Sequence, residues 1–180
     1  MALVPVIFFA VYSNFTSGLK VWTKVIRSVP EEDLNIFYVK IRRDLENVQR
    51  FSSIPFNGEQ EGISFAAVVD TLPELGGSRG IGQVRLYYDG YAHALIREMT
   101  NYSQLHRESP SQKNVLLQKV SSFEFSFLSR DPLQTGYSWS EQWKPDPKKL
   151  PVAVKLSFTV ADVPERQERI IFIPVGGKLP

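Results

Sequence analysis

ALVPVIFFAVYSNFTSGLKVWTKVIRSVPEEDLNIFYVKIRRDLENVQ, residues 2–49, carries a helical signal in two unlike halves. In Met1 to Tyr12 nearly every side chain is apolar, so no side of that segment is marked for water. From Leu34 the apolar positions narrow to Leu34, Phe37, Tyr38, Ile41, Leu45 and Val48, three or four apart, which places them on one stripe of a helix. Lys40, Arg43, Asp44 and Glu46 are expected largely on the other side. The second half thus has a core to dock on, and a single sheet face satisfies it. The first half has no such mate and is expected to pack against a membrane or other chains. As a helix, Ala2 to Val29 would be roughly 42 Å long, longer than a compact domain of this size is wide. It must protrude.

Helical steps run through Phe8, Val11, Phe15, Leu19, Trp22 and Ile26. Pro5 predicts a bend, and Pro30 a break or restart, because proline removes a helical hydrogen bond. After Pro30, Glu31, Glu32 and Asp33 fall in a first turn, where carboxylates suit the positive end of the helix dipole. Ser28 is positioned to cap that restart.

At 180 residues the chain is one domain, or one domain with an appendage, long enough for a proper core. The net charge of +2 is spread without any long run of like sign, so no nucleic-acid footprint is implied. Zero cysteines exclude a disulfide framework, a thiolate metal site and a cysteine nucleophile, and leave the compartment open. The apolar run at the start is about twelve residues, roughly 18 Å as helix against a hydrocarbon core of roughly 30 Å. It does not span a bilayer as it stands, and it lacks the basic leader and small-residue cleavage site of a secretory signal. The natural beginning is therefore expected to have been removed or to lie upstream of Met1.

Beyond the helix the sequence predicts β-structure. Ser52 to Gly62, with Pro55, Asn57 and Gly58, is loop chemistry. Ile63 to Val69 is a short apolar strand. Gln83 to Tyr88 alternates, and Ala94 to Met99 answers it across a hairpin loop at Asp89, Gly90 and Tyr91. His106 to Lys113, polar and containing Pro110, predicts a loop. From Val115 to Phe127 one long run changes phase at Ser121 and Ser122, the mark of a bulge or bend. Arg130 to Pro147 predicts an irregular excursion pinned by Trp139 and Trp143. Val152 to Val160 alternates most cleanly of all, and Arg169 to Ile173 pairs with it across a turn at Asp162 to Glu165. The expected architecture is α+β, a helix at 1–50 followed by an antiparallel sheet domain of about six strands at 51–180.

Chemistry finds little foothold. Gly76-Gly77-Ser78-Arg79-Gly80-Ile81-Gly82 looks like a nucleotide loop, but an alternating strand follows it where a helix N-terminus is needed. It is expected to be a flexible loop between strands. His93 and His106 have no partners at metal-ligand spacing, no Gly-x-Ser-x-Gly occurs, and the loop acids Glu74, Asp131, Asp146 and Asp162 lack the spacing of a calcium loop. No catalytic residue, metal or cofactor is expected. Trp139 and Trp143 offer either a recognition platform or, as favoured, aromatic cover for a sheet edge.

The arrangement resembles the type IV pilin and pseudopilin superfamily. Within it, Val115 to Leu128 ending in Phe123-Glu124-Phe125-Ser126-Phe127-Leu128, then Trp139 and Trp143, then Leu150 to Leu156, and finally Arg169 to Pro174, resemble the minor pseudopilin J of type II secretion. Arg43-Asp44-Leu45 is similar to a recurrent pseudopilin feature. The prepilin signature, a basic leader followed by Gly-Phe-Thr-Leu-x-Glu, is missing, and with it the assembly glutamate. The resemblance implies a pseudopilin fold and a non-enzymatic role at the secretion pseudopilus tip. It implies assembly with the I and K minor pseudopilins through Val4, Phe8, Val11, Phe15, Leu19 and Trp22. It also implies an inner-membrane anchor in the full-length form and a periplasmic globular domain. The alternatives are a minor pilin of a type IV pilus, or a periplasmic binding domain with Tyr87, Tyr88, Trp139 and Trp143 lining a deep pocket.

Overall fold

A computed structural model describes residues 32–70, 79–107, 110–130, 136–161 and 163–176. The chain divides into two compact units, Met1–Ile36 and Phe37–Pro180. The apolar first half of the opening segment, with Pro5, Ser28 and Pro30, lies outside the described residues, so the long protruding helix does too. What is described of that segment is a helix at 32–46, α1.

From Phe37 onward this helix has the one-sided burial that its spacing predicts. Phe37, Ile41, Leu45 and, just past its end, Val48 are fully buried. Its outward side carries Val39, Lys40, Arg42, Arg43 and Glu46, all exposed. Asp44 departs from the expectation: it is buried. Seven residues from Phe37 is two turns, so Asp44 belongs to the apolar stripe rather than the solvent side.

Among the described residues ten strands follow, in two sheets. They are β1 (Val48–Gln49), β2 (Asn57–Glu59), β3 (Gly62–Asp70), β4 (Arg79–Asp89), β5 (Ala94–Asn101), β6 (Gln112–Leu117), β7 (Val120–Arg130), β8 (Tyr137–Ser140), β9 (Ala153–Val160) and β10 (Val163–Phe172). The first sheet has six strands in the order β1-β3-β4-β5-β6, with β2 also on β3; the second has four, in the order β10-β9-β7-β8. Every pairing is antiparallel. The expected α+β composition holds, and beside the six-stranded sheet stands a second one.

The second sheet arises where the long Val115–Phe127 run breaks. Lys119 takes a left-handed φ of 58°, which ends β6 in one sheet and starts β7 in the other. The predicted change of phase is real as well: the β7–β9 register shifts between Val120 and Ser122. At the predicted Asp89–Gly90–Tyr91 hairpin, the Asp89 carboxylate accepts hydrogen bonds from the amides of Tyr91 and Ala92, both at 3.0 Å. This is the side-chain turn that Asp favours.

The expected loop at His106 to Lys113 is shorter than predicted. Tyr102–Arg107 forms a short helix, α2, capped reciprocally. Gln104 N donates to Asn101 Oδ1 at 2.7 Å and Asn101 N to Gln104 Oε1 at 3.0 Å, a capping box written Asn-x-x-Gln. The glycine-rich stretch is likewise already strand from Arg79 on.

The two sheets are stitched by main-chain bonds. Val120 N donates to His93 O at 2.8 Å, Phe125 N to Gln60 O at 2.7 Å, and Gly58 and Trp143 exchange both amides at 3.0 and 2.8 Å. Between the sheets Phe56 stacks on Phe65 of β3 and sits edge-on to Phe127 of β7. A Cβ at Gly58 would overlap the Phe127 ring, which is fully buried and has nowhere to go. Gly58→Ala is expected to cost about 1–3 kcal/mol through overpacking, read as a lower urea midpoint.

Candidate subunit interface

The subunit interface expected from the sequence lies on the apolar segment upstream of α1. Val4, Phe8, Val11, Phe15, Leu19 and Trp22 all lie outside the described residues. What the structure shows is how the arm's downstream continuation is anchored, from Phe37 on.

Three contacts hold it. Phe37 sits edge-on to Phe123 of β7 and Phe158 of β9, with ring centroids 6.5 and 5.3 Å away, so it docks on the second sheet. Two turns later the Asp44 carboxylate accepts a paired hydrogen bond from Arg97 of β5, Nε to Oδ2 at 2.6 Å and the terminal nitrogen to Oδ1 at 2.7 Å. That docks the helix on the first sheet as well. Bidentate arginine–carboxylate bonding fixes orientation as well as distance. Burial pushes the Asp44 carboxyl up from its ordinary value; the hydrogen bonds and charge of Arg97, then the charge of Arg43, pull against it. A third contact places the Arg169 guanidinium 4.9 Å above the Tyr38 ring, and burial likewise raises the Tyr38 hydroxyl.

The aromatics of a would-be deep pocket do not converge. Tyr87 is on the outer face of β4, beneath the Arg85 guanidinium. Tyr88 faces the other way and donates to Val120 O and Ser121 O at 3.1 and 3.2 Å. Trp143 covers Phe56 edge-on at 6.4 Å, as the favoured structural reading expects. Trp139 is exposed and has Lys155 Nζ 5.4 Å from its ring. A hollow of about 610 Å³ lies elsewhere, among residues that include His93, Val115, Lys119 and Ala161. His93, like Lys119, has a left-handed backbone, with φ 48°.

The described polar residues weighed as ligands have other partners. His106 packs edge-on against Tyr102. Asp146 accepts a hydrogen bond from Lys148 N and pairs with Lys149, while Glu74, Asp131 and Asp162 lie outside the described residues. Among the described residues no group of three or more metal-ligating side chains converges, and no helix is long and apolar enough to cross a membrane.

Sequence reasoning missed the Asp44–Arg97 pair, although its signal was present. Asp44 sits in an apolar slot of a helix. Arg97 sits in one of a strand, between Leu95 and Met99, both buried. Two opposite charges in slots reserved for hydrophobes are each other's expected partners, because burial without pairing is costly.

No curated protein matches the chain. The family model for type II secretion system (T2SS) protein J matches residues 26–172, from ahead of α1 to the last residue of β10. With both sheets and the docked helix inside that match, the chain belongs to the type II secretion system protein J family, a family of structural pseudopilin subunits.

Proposed function

We propose that the protein is a non-enzymatic subunit of the pseudopilus tip in type II secretion, joined to the I and K minor pseudopilins by helix packing. In this reading residues 1–50 are the helical arm and 51–180 the sheet domain. The full-length form is held in the inner membrane with its sheets in the periplasm. The observation that carries the reading is the family match over residues 26–172. The docking of α1 on both sheets from Phe37 onward supports it.

The mechanism is burial of apolar helix surface. Val4, Phe8, Val11, Phe15, Leu19 and Trp22 lie against partner helices, each large side chain contributing about 1.5–3 kcal/mol when fully buried. Replacing Phe8 and Phe15 together by Asp is expected to abolish tip-complex formation while leaving the urea unfolding of the sheet domain unchanged. Co-purification of the double variant with its partners at wild-type yield would defeat the proposal.

A further inference from the structure

Asn57-Gly58, loop chemistry in the sequence, lies in β2 and carries a reaction that a subunit role does not use. The glycine nitrogen is the least hindered nucleophile within reach of the asparagine side chain, because no Cβ shields it. Its amide proton passes to hydroxide and Gly58 N bonds to the side-chain amide carbon of Asn57. The carbon–nitrogen bond of that amide breaks, and its nitrogen takes a proton from water and leaves as ammonia. One water then opens the cyclic imide, either to aspartate or, with the main chain rerouted through the side-chain carbon, to isoaspartate. Nothing is oxidised or reduced.

The fold opposes the first step in two ways. Gly58 N donates its proton to Trp143 O at 3.0 Å, and Trp143 N returns a bond to Gly58 O at 2.8 Å. Ring closure also needs Asn57 Cβ and Gly58 N nearly eclipsed about the Cα–C bond. A strand residue, with ψ near about +135°, holds them apart, and β2 is pinned on β3 through Asn57–Ser64 and Gly58–Ile63.

The partner strap is the weak side of this arrangement. Within 141–149 every residue except Trp143 and Asp146 is exposed, and Pro145 and Pro147 have no N–H to give. Among the described residues its main-chain bonds to the rest of the domain are the two with Gly58. Its ring contact is Trp143 on Phe56, and the buried Trp143 indole N–H finds no protein acceptor. Segments with few buried contacts open locally, well below the cost of global unfolding.

We propose that Asn57 is a hydrolytic deamidation site gated by the 141–149 strap: pairing with Trp143 holds the reaction off, local opening admits it, and the isoaspartate product keeps the strap from closing. Isoaspartate adds one carbon to the main chain just ahead of Gly58. That residue has no room to move, since even a Cβ there would overlap the Phe127 ring. The inference is independent of the tip-subunit reading.

The test follows the full chain at mildly alkaline pH by peptide mass mapping, with isoaspartate counted by enzymatic methyl transfer. Loss of the Asn57 amide is expected to be at least about tenfold slower in the folded chain than in guanidinium; equal rates would overturn the protection. In the wild type the Gly58 and Trp143 amides should exchange hydrogen together and well ahead of Leu156 in β9. Exchange of all three at one rate would mean global unfolding and would overturn the gate. Trp143→Ala, which removes the ring over Phe56, should speed loss of the Asn57 amide at least about tenfold without changing Leu156 exchange. An unchanged rate of loss in that variant also counts against the gate. Chain aged in guanidinium and refolded should contain an isoaspartate species with a lower urea midpoint and an unprotected Gly58 amide, whereas Asn57→Asp keeps both as in the wild type. Full Gly58 protection in the isoaspartate species would overturn the claim that the product blocks closure.

Discussion

Replacing Arg97 by Ala is expected to lower the unfolding free energy by about 3–5 kcal/mol at neutral pH, because it leaves a buried carboxylate without its partner. Asp44 is the group stranded: only 10% of its side chain is exposed, and both of its oxygens lose a short hydrogen bond. The double variant Asp44→Leu with Arg97→Met should return to within about 1 kcal/mol of the wild type or exceed it, since well-packed apolar replacements avoid the desolvation cost. The pH dependence separates this account from simple loss of packing. Burial raises the Asp44 carboxyl, and without Arg97 the largest opposing influence is gone. A carboxyl whose folded pKa stands above its unfolded value contributes stability that is full below the unfolded value and lost as pH rises through the folded one. The damage in Arg97→Ala should therefore be least in acid and grow with pH. Urea titrations at several pH values give the answer, and a deficit that stays constant between acid and neutral pH would refute it.

Phe37→Ala is expected to cost about 3–5 kcal/mol, the range for removing a fully buried aromatic side chain. Its ring has no exposure and meets Tyr38, Phe123 and Phe158 at centroid distances of 5.3, 6.5 and 5.3 Å. Phe123 and Phe158 are themselves stacked, 5.4 Å apart at 14°. The vacated space is bounded by rings held in strands, and it cannot close without moving the second sheet. Leu in place of Phe should recover much of the loss. A midpoint within a few tenths of a molar urea of the wild type in Phe37→Ala would mean that the helix is not docked through this residue.

Most strands show their period in the sequence because one face of each is dry. Val152, Val154, Leu156, Phe158 and Val160 are all buried, and the alternation that predicts β9 is that burial written out. The same holds for Ile63 and Phe65 in β3 and for Val84 and Leu86 in β4. The first half of β10 gives no such signal. Glu165, Arg166, Gln167 and Glu168 lie in an edge strand of the second sheet, where charge protects an open edge; the sequence predicts a turn as far as Glu165 and a strand only from Arg169. At β8 all four residues are exposed, so hydrophobic periodicity has nothing to register.

The sequence by itself determined the composition of the fold: a helix with one apolar stripe, then antiparallel strands with an apolar face. Those features follow from local spacing and from the period of each element. Tertiary structure decided how the strands divide between two sheets, that Asp44 and Arg97 meet across 53 residues, and that Gly58 pairs with Trp143. The physical reason is that pairing partners lie far apart along the chain. Their register is set by which faces must be buried together, and no single element carries that information.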